Sequence, residues 1–156
     1  MLDKIILKDS LDFNGTPSEL KEFISFKEER DFRLEWIDDS TFKFVSNFSL
    51  GTLIVNYTPV EGIKGFAKLM EMRDGKTNVE LKTKIRIELY FFSLISIIMI
   101  AVGLFSNESW PKWTFALFPI GLLWLWWVYR MQEKTLFTKL KKYINTDIKN
   151  VLQQHV

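Results

Sequence analysis

The chain has 156 residues, about one domain's worth, of which 47% are hydrophobic, 15% aromatic and 26% charged, with a formal net charge of +2. With only 7 Gly and 4 Pro against this apolar content, a collagen-like or disordered chain is excluded. The absence of cysteine removes any disulfide framework, thiol nucleophile or zinc-thiolate site, and the only histidine is His155, next to the end.

Lys4 to Lys8 reads as a first strand. Thr16-Pro17-Ser18-Glu19 matches a capping box, with Thr16 as N-cap, Pro17 at the first helical position and Glu19 placed to reach back to the N-cap amide. Leu20, Phe23 and Ile24 then give the apolar stripe of a short helix that should pack on a sheet. Phe32, Leu34 and Trp36 alternate with Arg33 and Glu35, and Phe42 and Phe44 with Thr41 and Lys43, which is the period of half-buried strands. Asp38-Asp39-Ser40 is the turn between them. Leu53 to Tyr57, closed by Pro59, predicts another strand. Asp74-Gly75 predicts a hairpin joining Ile63–Met72 to a strand in which Val79, Leu81, Thr83, Ile85 and Ile87 alternate with charged residues. Residues 1–88 carry 14 basic and 16 acidic side chains, so no electrostatic footprint for nucleic acid is present and no nucleic-acid partner is expected.

Leu89–Phe105 and Trp113–Tyr129 contain no charged residue, and each run of 17 residues reaches the lower end of the length that crosses a bilayer core. The expectation is a transmembrane hairpin over 87–129, with helices at about 87–105 and 113–129 and a loop at 106–112. Tyr90, Trp110, Trp113, Trp124, Trp126, Trp127 and Tyr129 fall near the ends of these runs, where aromatic rings favour the membrane interface. Lys84, Arg86, Lys134, Lys139, Lys141 and Lys142 gather at one end and would contact an anionic inner leaflet. The basic bias places both termini on the cytoplasmic side of a bacterial inner membrane. Residues 1–30 lack the apolar core of a cleavable signal peptide. Glu88 and Arg130 would meet at the inner interface, where they either pair or each reach separately to water. Ser93, Ser96, Ala101 and Gly103, with Ala116 and Gly121, could let helices approach closely, and Pro119 interrupts the second run.

In the last segment Phe137, Leu140, Ile144, Ile148, Val151 and Leu152 recur at helical spacing. This amphipathic helix, 130–156, can lie on the membrane surface or cover the open face of the sheet. Covering the sheet is preferred, since one short helix cannot shield all its strands. The expected fold class is thus an α+β membrane protein: an N-terminal antiparallel β-sheet domain (1–86) with one short helix, a two-helix transmembrane hairpin and a C-terminal amphipathic helix.

The stretch from Gly65 through Asp74-Gly75-Lys76-Thr77 to Ile85-Arg86-Ile87, passing into Tyr90-Phe91-Phe92, resembles a group of small uncharacterised bacterial membrane proteins with a β-rich N-terminal domain and a membrane hairpin. That likeness spans roughly residues 60 to 140 and implies no catalytic residues. The order strand, capped helix, antiparallel strands and closing helix is also similar to the helix-grip order of START-like lipid-binding domains.

Neither Asp38-Asp39 nor Glu28-Glu29-Arg30-Asp31 has the partners of a catalytic or metal centre. Gly62, Gly65 and Gly75 are too scattered for a phosphate loop, and Asn107-Glu108-Ser109 is only a three-residue glycosylation match. No enzyme activity, metal or cofactor is expected. The expected function is a membrane-anchored interaction or assembly module, an accessory subunit whose partners are the lipid bilayer and other membrane subunits or further copies of itself. The alternative is a ligand-sensing effector that oligomerises through its hairpin.

Overall fold

The computed structural model describes residues 6–26, 32–47, 53–55, 58–72, 74–84, 86–105, 111 and 113–154. They fall into two compact units, one made of Met1–Lys84 with Gln132–Val156 and the other of Ile85–Met131.

In the first unit the elements are β1 (Lys8–Phe13), α1 (Pro17–Phe26), β2 (Phe32–Trp36), β3 (Thr41–Ser46), β4 (Leu53–Val55), β5 (Thr58–Glu61), β6 (Lys64–Glu71) and β7 (Thr77–Thr83). Five of the strands form an antiparallel sheet in the order β1-β7-β6-β3-β2, while β4 and β5 form a ladder of their own. The tightest local determinant is the β6–β7 hairpin. Gly75 adopts φ +67°, a left-handed conformation that glycine enters without steric cost. The Met72 N–H donates to the Lys76 carbonyl at 2.7 Å, which sets the pairing from Glu71↔Thr77 to Gly65↔Thr83. At the start of α1 the capping box is formed: the Thr16 N–H donates to Glu19 Oε2 at 2.8 Å, and the Glu19 N–H donates to the Thr16 hydroxyl at 3.3 Å.

Three strand boundaries differ from expectation. The first strand lies at Lys8–Phe13, not Lys4–Lys8, because Leu11 and Phe13 are the side chains that reach the core, opposite Val79 and Thr77. Residues 4 and 5 lie outside the described residues. The last strand stops at Thr83, where its neighbours run out: Lys8↔Lys82 and Gly65↔Thr83 are the terminal pairs, and residue 85 lies outside the described residues. Pro59 sits inside β5 opposite Ile54. A residue without an N–H is tolerated in a short ladder whose register already shifts between Leu53 and Ile54.

Most of the core lies on one face of the five-stranded sheet; Val45 of β3 is buried on the other. Phe42 and Phe44 of β3, Ala67 and Leu69 of β6 and Val79 and Leu81 of β7 are buried on the first face with Leu20 and Ile24 of α1. The same face carries the later part of α3 (Trp113–Gln154). Leu136, Phe137, Leu140 and Ile144 are buried, the Phe137 ring stands 5.7 Å from that of Phe44, and Tyr143 meets Phe32 edge-on at 5.5 Å and Phe23 at 5.9 Å. The side chains of Ile148, Val151 and Leu152 lie outside the described residues. Lys141 Nζ reaches Asp9 Oδ2 of β1 at 2.7 Å. Each large apolar side chain buried here contributes about 1.5–3 kcal/mol, whereas a largely exposed ion pair is worth about 0.2–1 kcal/mol. Apolar packing therefore holds the helix down, and the ion pair adjusts where it lies.

In the second unit α2 (Ile87–Phe105) packs against the early part of α3. The Arg86 guanidinium lies 4.6 Å over the Tyr129 ring at one end, and a Cβ added to Gly103 would meet the Phe115 ring at the other, so the two helices run antiparallel. The expected transmembrane hairpin is not supported: among the described residues no helix is long and apolar enough to cross a membrane. The helix α2 has 19 residues. The second uncharged run is only the beginning of a 42-residue helix that carries charge from Arg130 onward. The membrane fold class, the integral-membrane description and the inner-membrane location with both termini cytoplasmic all rested on two spanning helices, and they are corrected together.

Two outcomes follow for stability. A Cβ at Gly65 would fall less than 3 Å from three carbons of the fully buried Phe44 ring across the β3–β6 pair. Gly65→Ala should therefore cost about 1–3 kcal/mol in urea unfolding, the penalty of overpacking, and Phe44→Leu in the same chain should recover part of it. For Asp9, burial raises the carboxyl pKa, but the hydrogen bond from Lys141 and the Ser10 amide outweigh this and hold it below its ordinary value. A depressed folded value means that its stabilisation is present above the unfolded pKa and is lost as pH falls through the folded one. Asp9→Asn should thus destabilise the chain at about pH 7 by ~0.2–1 kcal/mol, with the difference shrinking as pH is lowered through the carboxylate range.

Candidate functional site

The helix pair of the second unit leaves large apolar side chains uncovered on both helices, while Ile95 and Met99 of α2 and Phe115, Phe118, Leu122 and Leu125 of α3 are half-buried. Ala116 is exposed and Gly121 faces open space, so only the small residues of α2 are turned inward. On α2, Ser93, Ser96 and Gly103 are half-buried or buried, with the Ser96 hydroxyl donating to the Phe92 carbonyl at 2.8 Å. These positions recur at three and seven residues, so they share one stripe. Their small side chains let α3 approach, as the Phe115 ring against Gly103 shows. Large apolar side chains point the other way: Phe91, Leu94, Ile97, Ile98 and Phe105 on α2, and Leu117, Ile120, Leu123, Trp124 and Trp127 on α3, are all exposed, Ile97 to 64% and Leu123 to 65%. A helix pair that faces water on its outer side carries charges there. No charged residue interrupts the outer face between Leu89 and Phe105 or between Trp113 and Tyr129. Contiguous apolar surface of this kind marks an interaction site.

The aromatic residues singled out from the sequence divide. Tyr90, Trp113, Trp124, Trp126 and Trp127 are exposed, Trp113 to 66%, and belong to this outer face. Tyr129 is buried under Arg86. Trp110 lies outside the described residues, as do the glycosylation match 107–109, the cluster 28–31, His155 and the side chain of Glu88. The Glu88–Arg130 pair therefore falls outside the description on its acidic side. Arg130 itself is half-buried.

The basic residues divide as well. Lys84, Lys134, Lys139 and Lys142 are exposed, Arg86 is turned onto the Tyr129 ring, and Lys141 is engaged with Asp9 on the sheet. The sequence held a signal for the Lys141 contact. Asp9 shares the alternation of the buried Leu11 and Phe13, and Lys141 lies four residues after Phe137 and three before Ile144, so both charges sit beside apolar stripes.

Asp38 belongs to a turn: the Ser40 amide and hydroxyl both donate to its Oδ1, at 2.8 and 2.9 Å, and hold its carboxyl below the ordinary value. Asp39 accepts from Lys21 Nζ of α1 at 2.7 Å. Both acidic residues thus tie the β2–β3 turn and do not converge on a cleft. Among the described residues no three His, Asp or Glu side chains gather as a metal site. No family model, curated protein or solved structure matches the chain.

The two faces of α2 should respond differently in the isolated chain. Gly103→Ile forces a branched side chain into the Phe115 ring and should lower thermal stability by about 1–3 kcal/mol. Ile97→Ala on the outer face should stay within about 0.5 kcal/mol of the parent. Circular dichroism melts of the two variants distinguish these outcomes.

Proposed function

We propose that this chain is a non-catalytic interaction or assembly module, an accessory subunit of a larger complex. Its β-rich unit is a folded platform, and the outer face of the α2–α3 pair is the surface by which it associates. The observation that carries this reading is the outer face of the helix pair, where large apolar side chains, from Phe91 to Phe105 and from Leu117 to Trp127, are exposed with no charge among them. Covering five or six such side chains contributes on the order of 10 kcal/mol at about 1.5–3 kcal/mol each. Association itself costs about 4–15 kcal/mol in lost freedom. A partner must therefore cover much of the stripe, and a contact at one or two residues would not hold.

The test is native co-purification of the tagged full chain and of an Ile97→Lys, Leu123→Lys double variant. The parent chain should carry one or more proteins at fixed ratio. The variant should lose them while its β-sheet circular dichroism stays unchanged, because both substituted side chains are exposed. A parent chain that runs as a free monomer, or that is recovered with lipid alone at no fixed protein ratio, overturns the proposal.

A further inference from the structure

The second face of the five-stranded sheet carries a different surface. Side chains alternate across a strand, so residues out of phase with Phe42, Phe44, Ala67 and Leu81 share this face. Lys8, Lys82, Phe66, Lys43 and Glu35 form one row of paired positions across all five strands, and the next position on this face of β3, Val45, is buried between Arg33 and Lys64. Phe66 stands in the middle of the row, half-buried. Lys82 and Lys43 are its register partners on either side, and Lys64 and Lys68 lie two residues before and after it on the same strand. Four lysine positions thus flank one aromatic residue, two on its own strand and two at its register partners.

The surrounding charges are arranged unevenly. Glu35 binds Lys43 at 2.6 Å and Glu80 binds Lys82 at 2.9 Å, and the two carboxyls are held below their ordinary values by those lysines. Lys64 and Arg33 add to the field at Glu35, and Lys8 and Lys68 to that at Glu80, so each carboxylate stands among three cations. Lys8 and Lys82 face each other directly, an opposition of like charges that works against strand pairing. A face shaped only by solvation would alternate its signs. This one keeps a positive excess around an apolar centre.

We propose that this face docks an extended acidic segment of a partner protein, with an apolar side chain of the segment on Phe66 and its carboxylates on Lys64 and Lys68. The complement is specific. Lys64 and Lys68 are four residues apart on β6, about 13 Å along a strand. An extended segment spans that distance with acidic residues two before and two after an apolar one. Nucleic acid fits less well. The face offers one ring, not a row of stacking platforms, and Glu35 and Glu80 would oppose a continuous phosphate chain. The surface is separate from the apolar helix pair, so it stands or fails independently of the assembly reading.

The probe is a fluorescein-labelled peptide that repeats glutamate, serine, leucine, serine, titrated by anisotropy against the full chain at low and high salt. The parent chain should bind it, salt should weaken binding, and Lys64→Glu with Lys68→Glu should lower affinity by at least about tenfold, as charge reversal at a complementary interface does. Phe66→Ser should also weaken binding, and circular dichroism establishes that both variants keep the sheet. A control peptide with lysine in place of glutamate should not bind. The proposal is overturned if the acidic peptide fails to bind at low salt, if the double charge reversal leaves its affinity unchanged in a folded chain, or if a single-stranded oligonucleotide of equal charge binds more tightly.

Discussion

The sheet unit depends on the seating of the later part of α3 on the buried face, centred on the Phe44–Phe137 contact. A five-stranded antiparallel sheet with one apolar face cannot stand alone in water. The helix α1 has 10 residues and supplies Leu20 and Ile24, leaving the rest of the face to Leu136, Phe137, Leu140 and Ile144. These residues are more than fifty positions beyond β7 in the chain. The excursion through α2 is therefore an insertion between a sheet and its own cover. Closing that long loop costs little more than closing one of half its length.

That seating also explains the central strands. Phe44 can be fully buried beside its register partner on β6 because that partner is Gly65, whose missing Cβ leaves room for the ring. A residue that weakens a strand by its conformational freedom is here the condition for burying one of the large aromatic side chains of the core. Thr77 and Thr83, buried at the two ends of β7, find polar partners in the Gly15 carbonyl and the Leu7 amide, at 2.7 and 3.1 Å. Their hydroxyls therefore bear little of the cost of burial.

The helix pair follows a different logic. Ser93, Ser96 and Gly103 of α2 face inward with Phe115 and other half-buried apolar residues, and a further set of large apolar side chains stays exposed. Such a unit gains further by being covered. Counting uncharged residues found these two runs but not their use, since hydropathy is a property of a window whereas the outward direction of Ile97 or Leu123 is a property of packing. The helix expected at about 87–105 is α2 and the one expected from 113 opens α3; what the structure does not support is that either crosses a membrane. One run is the whole of a 19-residue helix and the other the opening of a 42-residue one.

Local chemistry was determined by the sequence alone: the Thr16–Glu19 capping box, the Gly75 hairpin, the turn at Asp38 and the alternation that sorts Val79 and Leu81 from Glu80 and Lys82. Each depends on residues within a few positions of one another, so spacing is enough to read it. Tertiary structure decided the rest. The return of β1 to the side of β7, the Asp9–Lys141 ion pair, the lysine positions flanking Phe66 and the outward face of the helix pair all join residues distant in the chain or separated by strand register. A period in the sequence states which residues share a face, but only the packed chain determines what that face meets.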